Sequence, residues 1–252
     1  MAAMNQPSGA APPAAERGTF VVRLSETDRA DLLKLGGIRK FARGEHLMHQ
    51  GEPGDRVLIL LRGHAKATFV DDQGHQMILR FLGPGDVLGE LSFARAEPRS
   101  SNVIAIEAAE ARALAASEFR GYLRRRPTAA FTLIDVLSER FRDADRKRIQ
   151  FGSSDTVGRI AARLIELCER YGTRRDDGIR IELPITQGDL GGWTASSRAG
   201  VAAAMRTMRE LGWIRTERRG ITVIASERVR QVGPGKEGAK GSYTIYRITE
   251  AG

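Results

Sequence analysis

Two short runs in the first half of the chain have the residue types to hold an anion. Gly89-Glu90-Leu91 lies shortly upstream of Pro98-Arg99-Ser100. The Arg99 guanidinium can fork two charge-assisted hydrogen bonds onto a phosphate. Ser100 adds a hydroxyl donor, and glycine at position 89 lets backbone N–H groups there and at Leu91 come close. Glu90 is an acceptor suited to a sugar hydroxyl, and Pro98 fixes the backbone just before Arg99. One phosphodiester with a free ribose 2′-hydroxyl is what a cyclic nucleotide presents. The plain alternative is an Arg–Glu ion pair stapling a barrel, with Ser100 capping a turn.

The second kind of chemistry is electrostatic. The chain of 252 residues carries 40 Lys/Arg against 31 Asp/Glu, a formal charge of +9. Residues 1–119 hold 14 basic and 15 acidic side chains, net −1, while residues 120–252 hold 26 and 16, net +10. All the excess positive charge sits in the second half, the footprint of a polyanion-binding domain.

The elements that must position these residues follow from periodicity. Ser25 is placed to N-cap a helix over 26–35, stopped by Gly36-Gly37. Short apolar runs over 38–41, 57–61, 65–70, 77–81, 103–106 and 111–115 alternate with turn signals such as Gly51-Glu52-Pro53-Gly54-Asp55 and Gly83-Pro84-Gly85-Asp86. That pattern predicts an antiparallel barrel or sandwich. Pro127 then opens a long helix in which Ala130, Ile134, Leu137, Phe141 and Ala144 recur at spacings of four and three, the seam of a coiled coil. The seam predicts a two-fold dimer in which this helix meets its copy; the alternative is packing onto its own domain.

A second domain starts after Gly152-Ser153-Ser154. It has a helix over 156–171, a strand over 179–183, helices over 187–193 and 197–211 across a tight break, and a hairpin over 213–224. This is the winged helix-turn-helix layout. Ser196 or Ser197 can N-cap the second helix of the pair, and Arg198 in its first turn can reach a base edge, Arg to guanine being the commonest specific contact. Thr186 and Gln187 suit phosphate contacts. Arg206 and Arg209 lie further along the helix, and Arg215, Arg218 and Arg219 fall on the wing.

Together these segments resemble the cyclic-AMP receptor (CRP/FNR) family of bacterial transcription regulators over about residues 25–225. The resemblance rests on 51–55 with 58–66, on Gly89-Glu90-Leu91-Ser92-Phe93 with Pro98-Arg99-Ser100-Ser101, and on Val157-Gly158-Arg159-Ile160-Ala161 with Ile185-Thr186-Gln187 and Ser196-Ser197-Arg198. It implies an α+β chain: a tail (1–18), an antiparallel β-roll of the cyclic-nucleotide-binding type (19–126), a dimerisation helix (127–152), a winged helix-turn-helix domain (153–232), and a Gly-rich linker with a C-terminal extension (233–252). It further implies a homodimer on a pseudo-palindromic double-stranded operator, an effector held by Gly89, Glu90, Leu91, Arg99 and Ser100, and contact with RNA polymerase. Serine at position 100 leans towards cyclic AMP.

The chain departs from the family at two places. Where the receptor sets a Thr-Ser pair against adenine, this chain has Ala144 and Asp145. Asp145 can accept from an exocyclic amine, pair with Arg146 or Arg148, or face water, so base selectivity stays open. The family's Arg-Glu-x-x-x-Arg reader becomes Arg198, Ala199 and Ala203, which predicts a different or less strictly read operator. An effector-independent regulator, one answering to another nucleotide, and a nucleotide-binding scaffold acting on a protein partner remain alternatives.

Other classes are disfavoured. Paired carboxylates, a nucleophile–base set and a P-loop are all missing from the sequence, so the expectation is not an enzyme. His46, His49, His64 and His75 lack ligand spacing, and the single Cys168 excludes a disulfide framework and an iron–sulfur cluster; no metal or haem is expected. Cys168, Trp193 and Trp213 read as core residues. Apolar runs are too short to span a membrane, and the Ala/Pro-rich start does not read as a signal peptide, which gives a cytoplasmic expectation.

Overall fold

A computed structural model describes residues 18–92, 97–217 and 220–230. Turn signals and periodicities translate into two α+β bodies joined by one long helix.

Two short helices open the chain, α1 (Phe20–Arg23) and α2 (Glu26–Leu32), the second N-capped by the Ser25 hydroxyl, which accepts from Asp28 N at 3.1 Å. Eight strands follow: β1 (Gly37–Phe41), β2 (His46–Met48), β3 (Arg56–Arg62), β4 (Ala65–Val70), β5 (Gln76–Leu82), β6 (Val87–Leu88), β7 (Asn102–Ala105) and β8 (Ala109–Ala115). They form two antiparallel four-stranded sheets, ordered β1-β8-β3-β6 and β2-β7-β4-β5. Leu58, Leu60, Ala65, Ala67, Leu82, Leu88, Val103 and Ala111 fill the space between them. This is the expected β-roll. The strands β2 and β6 are too short to leave a periodic signal and were not expected.

Helix α3 (Ala116–Arg125), also not expected, leads into α4 (Pro127–Ser153) with Pro127 at its first position, where its missing N–H costs nothing. Ala129, Leu133 and Val136 of α4 pack against Phe20, Leu32, Val57, Val87, Phe119 and Tyr122. One face of the helix is thus bound to its own roll.

The second body consists of α5 (Thr156–Tyr171), β9 (Gly172–Arg175), β10 (Gly178–Ile181), α6 (Gln187–Thr194), α7 (Arg198–Glu210), β11 (Ile214–Glu217), β12 (Gly220–Val223) and α8 (Ser226–Arg230). Its sheet is ordered β11-β12-β10-β9. The boundary near residue 153 is a break in sequence but not in packing. Ile78, Phe81 and Ile106 of the roll share one core with Leu164, Leu190, Trp193, Val201 and Met208. Cys168 and Trp213 are buried in the same core, and burial pushes the Cys168 thiol up to about 12. Among the described residues no helix is long and apolar enough to cross a membrane. The expected tail (1–18) lies outside them except for Gly18, and so do all of the expected linker and extension (233–252) and the wing arginines Arg218 and Arg219.

Candidate functional site

The loop that joins β2 to β3 and the segment 97–101 meet as a short bridge: Arg99 N donates to Glu52 O at 2.8 Å and Gly51 N to Arg99 O at 2.9 Å. This carries the Arg99 side chain inward, where it is 4% exposed. Its Nη2 donates to Arg56 O at 2.5 Å and its Nη1 to Gly89 O at 3.2 Å, with Asp55 Oδ1 at 3.7 Å. Burial pushes its proton affinity down and Asp55 offsets part of that; a guanidinium stays charged regardless. Gly89 has φ +80°, and a Cβ there would stand 2.2 Å from Arg99 Nη1 and 2.8 Å from Met48 Cε. Glycine is therefore required both for the backbone and for the guanidinium beside it.

Glu90 is buried, as its expected role requires, but it is already engaged. Its Oε1 accepts from Arg140 Nη1 of α4 at 2.5 Å and from Arg80 Nη2 of β5 at 3.2 Å. Ser100 and Leu91 are exposed beside Arg99 and Glu90 in sequence. Asp145 is exposed on α4, as are Ala144 and Phe141. The residues that sequence reasoning missed are Arg80, Arg140 and Asp86. Asp86 Oδ1 accepts from Arg140 Nη2 at 3.0 Å, and its Oδ2 from Gly83 N at 3.0 Å and from Arg170 Nη2 of α5 at 3.3 Å. Asp86 reads as an ordinary turn residue and Arg140 as one more flank of the helix. Only the fold brings them together.

On α4 the expected seam is partly corrected. Ile134 and Phe141 are 55% and 69% exposed, while Leu137 leans onto the roll's core. Ala130 is half-buried. Phe131 (68%) and Ile149 (69%) extend the exposed apolar row instead. The strict four-three count missed this because one helix must serve two faces, the roll on one side and solvent on the other.

In the winged body, Ser197 and not Ser196 caps α7, accepting from Gly200 N at 3.1 Å. Arg198, Ala199, Ala203, Arg206 and Arg209 lie on the exposed side of α7. Thr186 caps α6: its hydroxyl accepts from Asp189 N at 3.0 Å and donates to Asp189 Oδ2 at 2.7 Å. Gln187 is exposed at the start of the same helix. Asp189 reaches the roll through Lys66 Nζ at 2.6 Å, and Trp193 meets Phe81 edge-on at 4.8 Å between ring centres. Arg215 is engaged by Asp177 and Glu217. Among the described residues no cluster of three or more potential metal ligands occurs.

A β-roll, a long helix and a winged helix-turn-helix are together the architecture of a DNA-binding transcription regulator. The Cyclic nucleotide-binding domain family matches residues 38–126 and the Crp-like helix-turn-helix domain matches residues 158–232. The chain is 31% identical over 189 residues to a CRP-like cAMP-activated global transcriptional regulator of Mycobacterium tuberculosis, covering 75% of this chain and 84% of that protein. It is 27% identical over 191 residues to the cAMP-activated global transcriptional regulator CRP of Salmonella typhimurium, covering 75% and 90%. In structure it resembles FixK2 from Bradyrhizobium japonicum, with TM-score 0.70, 19% identity, and coverage of 80% and 99%. The chain belongs to the CRP/FNR family of transcription regulators, and its Mycobacterium tuberculosis and Salmonella typhimurium relatives are global transcriptional regulators.

Proposed function

We propose that this chain acts as a homodimeric, sequence-specific transcription regulator whose DNA affinity is set by a cyclic nucleotide in the roll, cyclic AMP first among candidates. The observation that carries the reading is Arg99. A buried guanidinium held by two backbone carbonyls, with its nearest carboxylate at 3.7 Å, is a cation prepared for an anion. Ser100 and the backbone at Gly89 and Leu91 complete the cradle, and Glu90 offers the acceptor for a ribose hydroxyl. Asp145, on the exposed side of α4, would in such a dimer face the partner's helix and select the base.

The exposed row Phe131, Ile134, Phe141 and Ala144 supports self-association through α4. Arg198 and Arg206 on the outer side of α7 support reading of a major groove, with Ser196, Ser197, Thr186, Gln187, Arg218 and Arg219 along the backbone. Two such helices in a dimer would sit about 34 Å apart on a pseudo-palindrome. The regulator would work in the cytoplasm and act on RNA polymerase. Calorimetric titration with cyclic AMP, together with DNA binding with and without it, tests the reading. No cyclic-AMP binding by the wild type, or an Arg99→Ala variant that binds equally well, rejects the effector assignment.

A second reading is a regulator active without effector or answering to another nucleotide. It is favoured by the capture of Glu90 by Arg80 and Arg140, which a ribose would have to share. DNA affinity unchanged by any cyclic nucleotide would select it.

A further inference from the structure

Among the described residues Arg159, on the first turns of α5, has no hydrogen-bond partner in the roll and lies behind the expected DNA face, yet it makes an unusual set of contacts. Its Nη1 donates to Ser154 O at 2.6 Å and its Nε to Thr194 O at 3.0 Å. Its Nη2 lies 3.3 Å from Thr156 Oγ1 and 3.4 Å from Ser196 Oγ, and its guanidinium stands 5.8 Å from the Phe151 ring centre. Ser154 is the C-cap of α4, and Thr194 is the last residue of α6. One cation therefore satisfies carbonyls at two helix C-termini, where the backbone lacks its own donors and the dipole favours positive charge. Among the described residues no carboxylate pairs with it, so its partners are this set of neutral oxygens.

The segment it holds is the turn before the reading helix. Ala195 sits there at φ 45°, ψ 48°, a left-handed conformation that alanine does not favour. Ser196 N closes the turn on Gly191 O at 3.0 Å. The Ser196 hydroxyl donates to Thr194 O at 3.2 Å and accepts from Arg159. Ser197 begins α7 immediately afterwards.

We propose that Arg159 is a positioning residue for DNA reading: it ties the end of α4 to the helix-turn-helix turn and so fixes the angle at which α7 meets DNA. The proposal rests on the DNA-reading assignment of α7. A planar fork can bond two divergent carbonyls at once; an ammonium on a flexible stem presents only a point charge. The role is therefore geometric, and lysine should not fill it.

The test uses the full chain and a duplex enriched from random sequence on the wild-type protein, with a shuffled duplex of the same composition as reference. Dissociation constants for both are measured across a salt series for wild type, Arg159→Lys and Arg159→Ala. The expected result is that both variants lose about tenfold or more of the ratio between the two duplexes, because a mis-aimed base contact forfeits discrimination. Affinity for the shuffled duplex and its salt slope should stay at the wild-type level, which also reports that the variants are folded. Two results would overturn the proposal. In one, lysine restores discrimination while alanine lowers the salt slope by about one, the signature of a phosphate contact. In the other, alanine discriminates as well as wild type. A wild type that enriches no sequence fails at the first step and rejects the reading assignment itself.

Discussion

Arg140 on the long helix and Arg170 on the first helix of the winged domain hold the two oxygens of one carboxylate, Asp86, at 3.0 and 3.3 Å. Arg140 also reaches Glu90, so the candidate effector pocket, α4 and α5 form a single ionic network. Asp86 is 3% exposed, and removing the charge from a buried pair leaves its partners uncompensated. Asp86→Asn should cost about 3 kcal/mol in denaturant unfolding. It should also raise the rate of proteolytic cleavage near residue 154, since the variant loses a contact between the two bodies. An unchanged unfolding midpoint would show that the network contributes nothing to stability.

Gly89→Ala is a sharper probe of the pocket than removal of Arg99. The added Cβ would meet Nη1 at 2.2 Å and must push the guanidinium off the Gly89 carbonyl. The φ of +80° and the Arg56 carbonyl 3.1 Å from the added Cβ cost the roll some stability, while the Met48 side chain can move aside. Cyclic-AMP affinity should fall by roughly a hundredfold, equivalent to losing one charge-assisted pair of about 2–3 kcal/mol. Calorimetry on the two proteins, backed by a thermal scan, separates lost binding from lost folding.

These two residues also show what could be read from sequence. Gly89 and Arg99 stood out because their types fit an anion and a turn, and the fold puts them in contact. Regular turn signals gave the roll, and a proline followed by a periodic run gave α4. Asp86, Arg140 and Arg170 left no such mark. Their partners lie 54 and 84 positions away, and an isolated acid in a Gly-Pro-Gly turn is indistinguishable from a solvated one. The seam on α4 was misplaced at Leu137 for a related reason: periodicity reports that a face is apolar but not which body covers it. The division of charge, −1 against +10, was visible without any structure and assigned DNA to the winged body.

Acid should loosen the contact between the two bodies. Burial alone would raise the Asp189 proton affinity, but hydrogen bonds from Lys66 and Thr186 outweigh it and hold the carboxyl below its ordinary value of 3.8. A folded-state value below the unfolded one stabilises the protein above the ordinary range, and that contribution is lost as pH falls through it. Urea midpoints of wild type measured from pH 6 down to pH 3 should therefore drop more steeply than those of Asp189→Asn. Asp143, held down by Lys147 and Arg163 against its own burial, titrates in both proteins and cancels in the comparison. Parallel pH curves would remove Lys66–Asp189 as a source of acid sensitivity.

Ala195 offers a prediction of opposite sign. It is the single non-glycine residue at positive φ among the described residues, with φ 45°, and an L side chain pays about 1 kcal/mol for the left-handed region. Nothing in the turn uses its methyl group, which is exposed. Ala195→Gly should raise stability by up to about 0.5 kcal/mol after the extra freedom of the unfolded chain is counted. A lower melting temperature would mean that the turn is held by something other than its backbone preference.

The exposed row on α4 makes the dimer testable. Phe131, Ile134 and Phe141 are all more than half exposed in the single chain. Fully covering such a side chain is worth about 1.5–3 kcal/mol. A two-fold axis along the helix counts each residue twice, so one substitution removes two contacts. Phe141→Glu would also set two carboxylates against each other at the seam. Sedimentation should find wild type as a dimer at micromolar concentration and Phe141→Glu as a monomer with the same far-ultraviolet dichroism. Phe131→Glu should act in the same direction. Leu137→Glu should instead lower the stability of the roll, because that partly buried side chain packs against the roll's core cluster. A dimer that survives both phenylalanine changes would move the interface off this face of the helix.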